Sequence, residues 1–241
     1  MYENETQLLL KSDLRPGNFY CSREAADFLR PVFQKHFKKY GHSLERILRG
    51  DSGFASPEIY DVCEETEIKY LIRLKINKKL IALTEELKVQ ICHEENIHQE
   101  EIIQVEFFYQ AGSWKHPRCV VVEAKRKSGQ MCCDYTFVVT NLKTRMVNLV
   151  FELYRKRGSM ENYIKEAKNG FRMDKVIHHD LVANKNMMQI RVLSYNLVHL
   201  FSLNILPFQF RQYQIEILRN IKSHQTFIDK SQLISLYFFD I

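Results

Sequence analysis

In the first third of the chain, the spacing of apolar and polar residues is that of strands in some segments and that of a helix in another. Residues 43–50 (SLERILRG) and 69–75 (KYLIRLK) have the short apolar runs of strands. Between them, Ser56 followed by Pro57 predicts a helix start, because a capping hydroxyl often precedes a proline in the first turn. A strand, a helix and a strand in this order are typical of a parallel α/β unit.

Shorter signals flank this unit. Residues 7–11 (QLLLK) resemble a strand, and a helix is predicted from Ser22 to the residue before Gly41, bent at Pro31. Two further strand-like runs, 102–109 and 118–124, precede a hairpin turn at 128–129. Residues 136–140 (TFVVT) predict one more buried strand.

The remainder of the sequence is helical in pattern. Val147, Val150, Phe151 and Tyr154 share one face of a helix that breaks at Gly158. A second helix is predicted from residue 159 to 170, and a long apolar helix from 184 to about 206.

Composition narrows the class of protein. The 241 residues carry a net charge of +6, with 45% apolar and 27% charged residues, as in ordinary globular proteins. The most apolar run, 196–208, is too short to span a membrane and contains His199 and Asn204. The first residues do not have the pattern of a signal peptide, and the six cysteines are scattered. These features predict a reduced, cytoplasmic setting and no membrane partner.

Positive charge is concentrated in one segment. Between residues 143 and 175 the chain has nine Lys or Arg and four acidic residues, a local excess of +5. Such a concentration predicts a polyanionic partner, although a solvated helix face would look the same.

Four residues in this segment stand out by their spacing. Tyr154, Arg157, Glu161 and Lys168 form the pattern Y-x(2)-R-x(3)-E-x(6)-K, and Lys165 lies between the last two. On a helix, Glu161, Lys165 and Lys168 would point to one side. A single acid among cations suits a site where a metal meets phosphates, but ordinary Glu–Lys pairing on a surface helix is the alternative.

With this spacing the Y-R-E-K pattern resembles the signature of bacterial insertion-sequence transposases of the DDE superfamily. Residues 49–54 (RGDSGF) resemble the motif of their second catalytic Asp, and residues 137–141 (FVVTN) resemble their last core strand. The resemblance extends from about residue 14 to residue 206.

The resemblance implies an α/β fold with an RNase H-like mixed-sheet core that lacks its first strands. Residues 1–76 would form the first part of the core, with the second catalytic Asp, and residues 77–135 a β-rich insertion. Residues 136–206 would supply the last core strand and the helices with the catalytic Glu, and residues 207–241 a C-terminal segment. A helical C-terminal part is therefore expected.

The resemblance also implies a chemistry. Asp51 and Glu161 would be the catalytic ligands of Mg²⁺ or Mn²⁺ in cleavage and strand transfer, while Tyr154, Arg157, Lys165 and Lys168 would bind DNA. The partners would be transposon ends and target DNA, with a homodimer in a synaptic complex on the bacterial nucleoid. No phosphate-binding loop is present, so no nucleotide cofactor is expected.

One element of the family pattern is missing from this sequence. The superfamily uses three acids, and no acid before the first helix matches the first Asp, since Asp13 stands in a turn segment. We therefore expect an N-terminally truncated copy with an unpaired sheet edge. The alternative to an active transposase is a DNA-binding remnant that does not cut DNA on its own.

Other candidate sites have weaker signals. Cys92, His93 and His98 have partial zinc-ligand spacing without a second pair. Trp114 could stack on an extruded base or simply pack in the core. The neighbours Cys132 and Cys133 are expected to point to opposite faces of a strand.

Overall fold

The computed structural model describes residues 1–18, 20, 22–85, 100–130, 132–143, 147–211 and 213–218. The chain divides into two compact units. We call Arg15–Gly158 the sheet unit, and Met1–Leu14 with Ser159–Ile241 the helical unit.

The sheet unit contains five strands and four helices among its described residues. The strands are β1 Ile47–Gly50, β2 Lys69–Arg73, β3 Glu101–Tyr109, β4 Arg118–Arg126 and β5 Asp134–Thr140. The helices are α1 Ala25–Tyr40, α2 Pro57–Glu65, α3 Lys78–Ala82 and α4 Val147–Arg155. Short 3₁₀ turns follow β1 and α4, at Ser52–Phe54 and Lys156–Gly158.

All five strands belong to one mixed sheet in the order β1-β2-β5-β4-β3. β1 and β2 are parallel, which confirms the predicted parallel unit, and the other neighbours are antiparallel. The strands predicted as a β-rich segment therefore extend the same sheet through β5. Within the described residues, β1 pairs with β2 alone and forms an edge of the sheet.

Helix α4 covers one face of the sheet. Its buried side chains Val150, Phe151 and Tyr154 form a core with residues of the central strands. The strand residues are Leu71, Val121 and Val138. The predicted periodicity of α4 is thus confirmed, because its apolar positions are those that pack on the sheet.

Several local predictions on the sheet unit need correction. Helix α1 begins at Ala25, after Glu24, and not after Ser22. β1 begins at Ile47 and not at residue 43, because its pairing with β2 starts where Ile47 lies opposite Lys69. Helix α2 does begin at Pro57, but the Ser56 hydroxyl makes no capping hydrogen bond and is buried. The fixed φ of Pro57 therefore has the larger part in starting this helix.

A buried arginine ties α2 to β4. Arg118 Nη2 lies 2.6 Å from Asp61 Oδ1, and its Nε lies 2.8 Å from Glu64 Oε1. Burial alone would raise the pKa of both carboxyls, but hydrogen bonds from Arg118 and neighbouring groups outweigh it and lower both pKa values. Both acids therefore remain ionised at neutral pH and hold the arginine between them.

Aromatic rings complete this contact. The Arg118 guanidinium lies 5.1 Å from the ring centre of Tyr60 and 5.6 Å from that of Trp114. Trp114 is only 7% exposed and packs edge-to-face on Tyr60 and Tyr109. Its burial supports the packing alternative over base stacking.

The helical unit is built from α5 Ser159–Phe171 and α6 Leu181–Asn204, with a short 3₁₀ turn at Phe208–Phe210. Its core contains Leu9, Ala167, Phe171 and Tyr195. Gly170 lies against Ile215, since a Cβ at position 170 would come within 2.3 Å of the isoleucine Cγ2. None of the described helices combines the length and apolar character that a membrane span requires.

The strand predicted at residues 7–11 is wrong. Leu9 makes only an isolated antiparallel bridge, with Tyr2. The Asn196 side chain on α6 accepts a hydrogen bond from the Leu9 N–H at 2.9 Å and donates one to the Leu9 carbonyl at 3.0 Å. An amide side chain thus satisfies the backbone groups that a neighbouring strand would otherwise bond.

Replacing Arg118 by Met should lower the free energy of unfolding by about 2 kcal/mol, because Asp61 and Glu64 lose their shared cation in a partly buried setting. Lys125→Met is the matched control, since Lys125 pairs with Glu100 near the surface, and its effect should stay below about 0.5 kcal/mol. Urea unfolding of both variants measures the difference. Equal effects of the two substitutions would contradict the structural role of Arg118.

Candidate active site

Asp51 follows directly after β1, at the carboxyl end of a parallel strand. Its backbone is extended, and its Oδ1 accepts a hydrogen bond from the Gly53 N–H at 2.9 Å, which caps the turn Ser52–Phe54. The Asp-Ser-Gly order explains this geometry, because an aspartate side chain readily bonds a backbone N–H two residues on. The residue is exposed, so its carboxylate can meet a ligand.

Arg73 is a residue that the sequence analysis missed. The parallel register pairs Gly50 with Ile72, so the next residues along the two strands, Asp51 and Arg73, lie level with each other. The predicted pair of parallel strands was a signal that could have pointed to Arg73, because the carboxyl ends of parallel strands meet at one edge of the sheet. The register itself could not be read from the sequence.

Tyr154, at the end of α4, connects these residues electrostatically. Burial raises the pKa of Tyr154, and the negative charge of Asp51 acts in the same direction. The positive charges of Arg157 and Arg73, with a hydrogen bond donated by Arg157, lower the pKa of Tyr154 and offset part of that rise. Asp51, Arg73, Tyr154 and Arg157 therefore form one cluster in the sheet unit, which we call the Asp51 cluster.

Two other arginines near this cluster are engaged in protein contacts. Arg155 forms an ion pair with Glu123 and lies over the ring of Phe151. Arg49 Nη1 donates a hydrogen bond to the Leu153 carbonyl at 3.2 Å, which joins β1 to α4. Arg155 belongs to the basic segment 143–175, but its ion pair with Glu123 gives it a structural contact.

The remaining predicted site residues lie on α5 in the helical unit. Glu161, Lys165 and Lys168 are all exposed. They are spaced by four and three residues, so they share one side of the helix over about 10 Å. Glu161 is in the first turn, where a negative charge interacts favourably with the helix dipole.

The structure thus places the predicted residues in two groups. Asp51, Tyr154 and Arg157 belong to the cluster of the sheet unit, and Glu161, Lys165 and Lys168 to one face of α5. The assignments of these six residues to metal or DNA remain predictions.

The comparison with known families is decisive for the class of protein. The transposase DDE domain group 1 family matches residues 1–222, which is nearly the whole chain. The chain belongs to this family. No curated protein is significantly similar to it.

Membership of the transposase DDE domain family confirms the sequence-based prediction of a DDE transposase at the level of the family. The mixed five-stranded sheet with its helices is consistent with the RNase H-like fold expected of such a transposase. DNA is accordingly the partner that the family implies, and divalent metal ions are the cofactors that DDE transposases generally use.

Metal-binding chemistry can be tested against the residues present in this DDE domain. In the described ranges, no three His, Cys, Asp or Glu side chains are grouped closely enough to hold a metal ion. Mg²⁺ commonly takes only one or two carboxylates and completes its shell with water and substrate phosphate. An exposed carboxylate such as Asp51, with Arg73 level with it on the neighbouring strand, fits that mode of binding.

The structure describes the two neighbouring cysteines but not the candidate zinc ligands. Cys92, His93 and His98 fall in residues 86–99, outside the described part of the chain. Cys132 is exposed and Cys133 is half-buried. Both precede β5, which begins at Asp134, so the prediction that they lie on opposite faces of a strand is wrong.

Substitutions of Asp51 should separate its capping role from its charge. Asp51→Ala removes the bond to the Gly53 N–H and should cost up to about 1 kcal/mol of stability, whereas Asp51→Asn keeps an acceptor oxygen and should cost only a few tenths. Thermal or urea unfolding of the two variants measures this. If the two variants are equally stable, the turn does not depend on the cap.

Proposed function

We propose that this transposase DDE domain cuts DNA at the ends of an insertion sequence and joins them to target DNA. The observation that carries the proposal is the Asp51 cluster, in which a carboxylate at a strand end is accompanied by two arginines and a tyrosine. This set suits phosphoryl transfer, because the reaction needs positive charge around a phosphate beside a metal-binding carboxylate.

The cations would hold the phosphate. Guanidinium groups bind phosphate oxygens by two parallel hydrogen bonds, and Arg73 and Arg157 can offer them from different elements. The Tyr154 hydroxyl has a raised pKa and so remains protonated, which lets it donate a hydrogen bond to a phosphate oxygen. These three side chains would orient the scissile phosphate with respect to Asp51.

Asp51 and Glu161 would bind Mg²⁺ or Mn²⁺. When bound, the metal would supply activation of the attacking oxygen and stabilisation of the leaving oxygen. Carboxylate oxygens are the ligands that both ions favour. In this proposal, the acids contribute by fixing the ion's position.

The exposed lysines would extend the DNA contact. Lys165 and Lys168 lie on the same side of α5 as Glu161 and would track the phosphates that flank the cleavage site. We further propose a homodimer that holds two transposon ends in a synaptic complex, acting on the nucleoid in the bacterial cytoplasm.

A DNA-binding remnant that does not cut is the second candidate. It rests on the prediction that no acid in this sequence matches the first Asp of the superfamily. In that case the same cations would bind transposon ends without cleavage, alone or together with a complete copy of the transposase.

Binding to duplex DNA should weaken steeply with salt, because phosphate contacts release counterions. Arg157→Gln, Lys165→Gln and Lys168→Gln should each lower the slope of log affinity against log salt by about 0.9. Fluorescence anisotropy with a labelled duplex of random sequence measures these slopes. Lys39→Gln, at the end of α1, is the control, and an equal loss there would contradict the assignment.

Nicking of supercoiled plasmid in the presence of Mg²⁺ distinguishes the two candidate functions. An active transposase should nick the plasmid, and Asp51→Asn and Glu161→Gln should each reduce the rate by about 100-fold or more while DNA binding persists. Binding without nicking by the unmodified chain would favour the remnant. Nicking that survives both substitutions would contradict the assignment of the two acids.

A further inference from the structure

Helix α6 is apolar on two opposite sides. Its inner side, with Tyr195, Val192 and Val198, packs in the core of the helical unit. Its outer side exposes Ile190 by 58%, Leu193 by 59%, Leu197 by 56% and Leu200 by 41%. An exposed apolar side of this length is typical of a surface that is covered by a partner.

The exposed side chains have the spacing of a coiled-coil seam. Ile190, Leu193, Leu197 and Leu200 are separated by three, four and three residues, which is the alternation that keeps a stripe facing a second helix. Asn186 and Asn204 continue the same spacing at either end and are also exposed. We call these six residues the outer stripe.

Within α6, which is described throughout, no charged side chain stands next to this stripe. The helix contains no acidic residue, and its cationic side chains contact other residues of the helical unit. Lys185 Nζ lies 3.4 Å from Asp13 Oδ1, and Arg191 Nη1 donates hydrogen bonds of 2.7 Å to two backbone carbonyls. His199 faces Glu166 at 3.4 Å. Two copies of the stripe could therefore meet without bringing like charges together or burying one.

The outer stripe is symmetric along the helix. Counted from the level of Tyr195, Leu193 and Leu197 lie at equal distances on either side, as do Ile190 and Leu200, and Asn186 and Asn204. In an antiparallel pair of such helices, each apolar side chain of the stripe therefore lies opposite an apolar side chain, and each asparagine lies opposite an asparagine. A parallel pair would also place apolar side chains opposite each other and asparagines opposite each other, so the orientation of the two helices needs a separate experiment.

We propose that α6 pairs with α6 of a second copy of this chain, antiparallel about a two-fold axis level with Tyr195. The contact is isologous, because each residue meets its counterpart across the same axis. Four apolar layers form the centre, and the Asn186–Asn204 pairs at both ends fix the register, since a polar pair within a seam penalises any shift. The pairing forms without DNA, so its test is independent of the DNA-binding and nicking experiments.

Sedimentation velocity of the full chain across a wide concentration range tests self-association. We expect a dimer, and we expect Leu193→Glu to raise its dissociation constant on the order of 100-fold or more, since each dimer would bury two unpaired carboxylates. Leu197→Lys should have a similar effect. The control is Phe108→Glu, which removes a 78% exposed aromatic from β3 and should leave the dimer unchanged.

Orientation is tested by combining the two substitutions. In an antiparallel pair, position 193 of one copy faces position 197 of the other, so Leu193→Glu with Leu197→Lys should recover much of the association lost in either single variant. A parallel pair would instead oppose like charges. Within one helix the two new residues have the favourable Glu-to-Lys spacing of four, so helix content by circular dichroism should be retained.

The possible results divide cleanly. Recovery in the double variant, with an unaffected control, supports the antiparallel dimer. A chain that stays monomeric, a dimer that survives Leu193→Glu, or a double variant as dissociated as the single ones would each overturn the proposal. The first of these would show that a second copy of this chain does not cover the stripe.

Discussion

The candidate chemistry of this chain depends on the parallel pairing of β1 with β2. This short ladder brings the carboxyl ends of two strands to the same edge of the sheet and sets Asp51 level with Arg73. Helix α4 then packs across the sheet through Val150 and Phe151, which carries Tyr154 to the same place. A shift of the register by one residue would turn Arg73 to the opposite face and dismantle the cluster.

The electrostatics of this site depend on side chains that are partly buried. Burial raises the pKa of Tyr154, and the positive charges of Arg157 and Arg73 offset part of that rise. The nearby Arg155 is paired with Glu123. The family membership gives this arrangement its meaning, because a DDE transposase acts on a phosphodiester and must accommodate its negative charge.

Local signals in the sequence predicted much of the fold. The alternation around Pro57 and the spacing of Val147 to Tyr154 identified a helix between parallel strands and a helix on the sheet, because each depends on neighbours in sequence. Asp51 was also singled out locally, because residues 49–54 resemble a motif of the family. Arg73 and the Leu9–Asn196 contact were missed. The register of paired strands, and the use of the Asn196 side chain in place of a neighbouring strand, depend on residues distant in sequence.

The contact between Leu9 and Asn196 joins residues 187 positions apart, while the sheet unit is one continuous segment between them. During synthesis, the sheet unit can therefore fold as it leaves the ribosome. The first fourteen residues must wait for α6, roughly 10–40 s later at ordinary translation rates. For that interval the apolar run around Leu9 has no partner from α6, so this segment depends on a helix that is made much later.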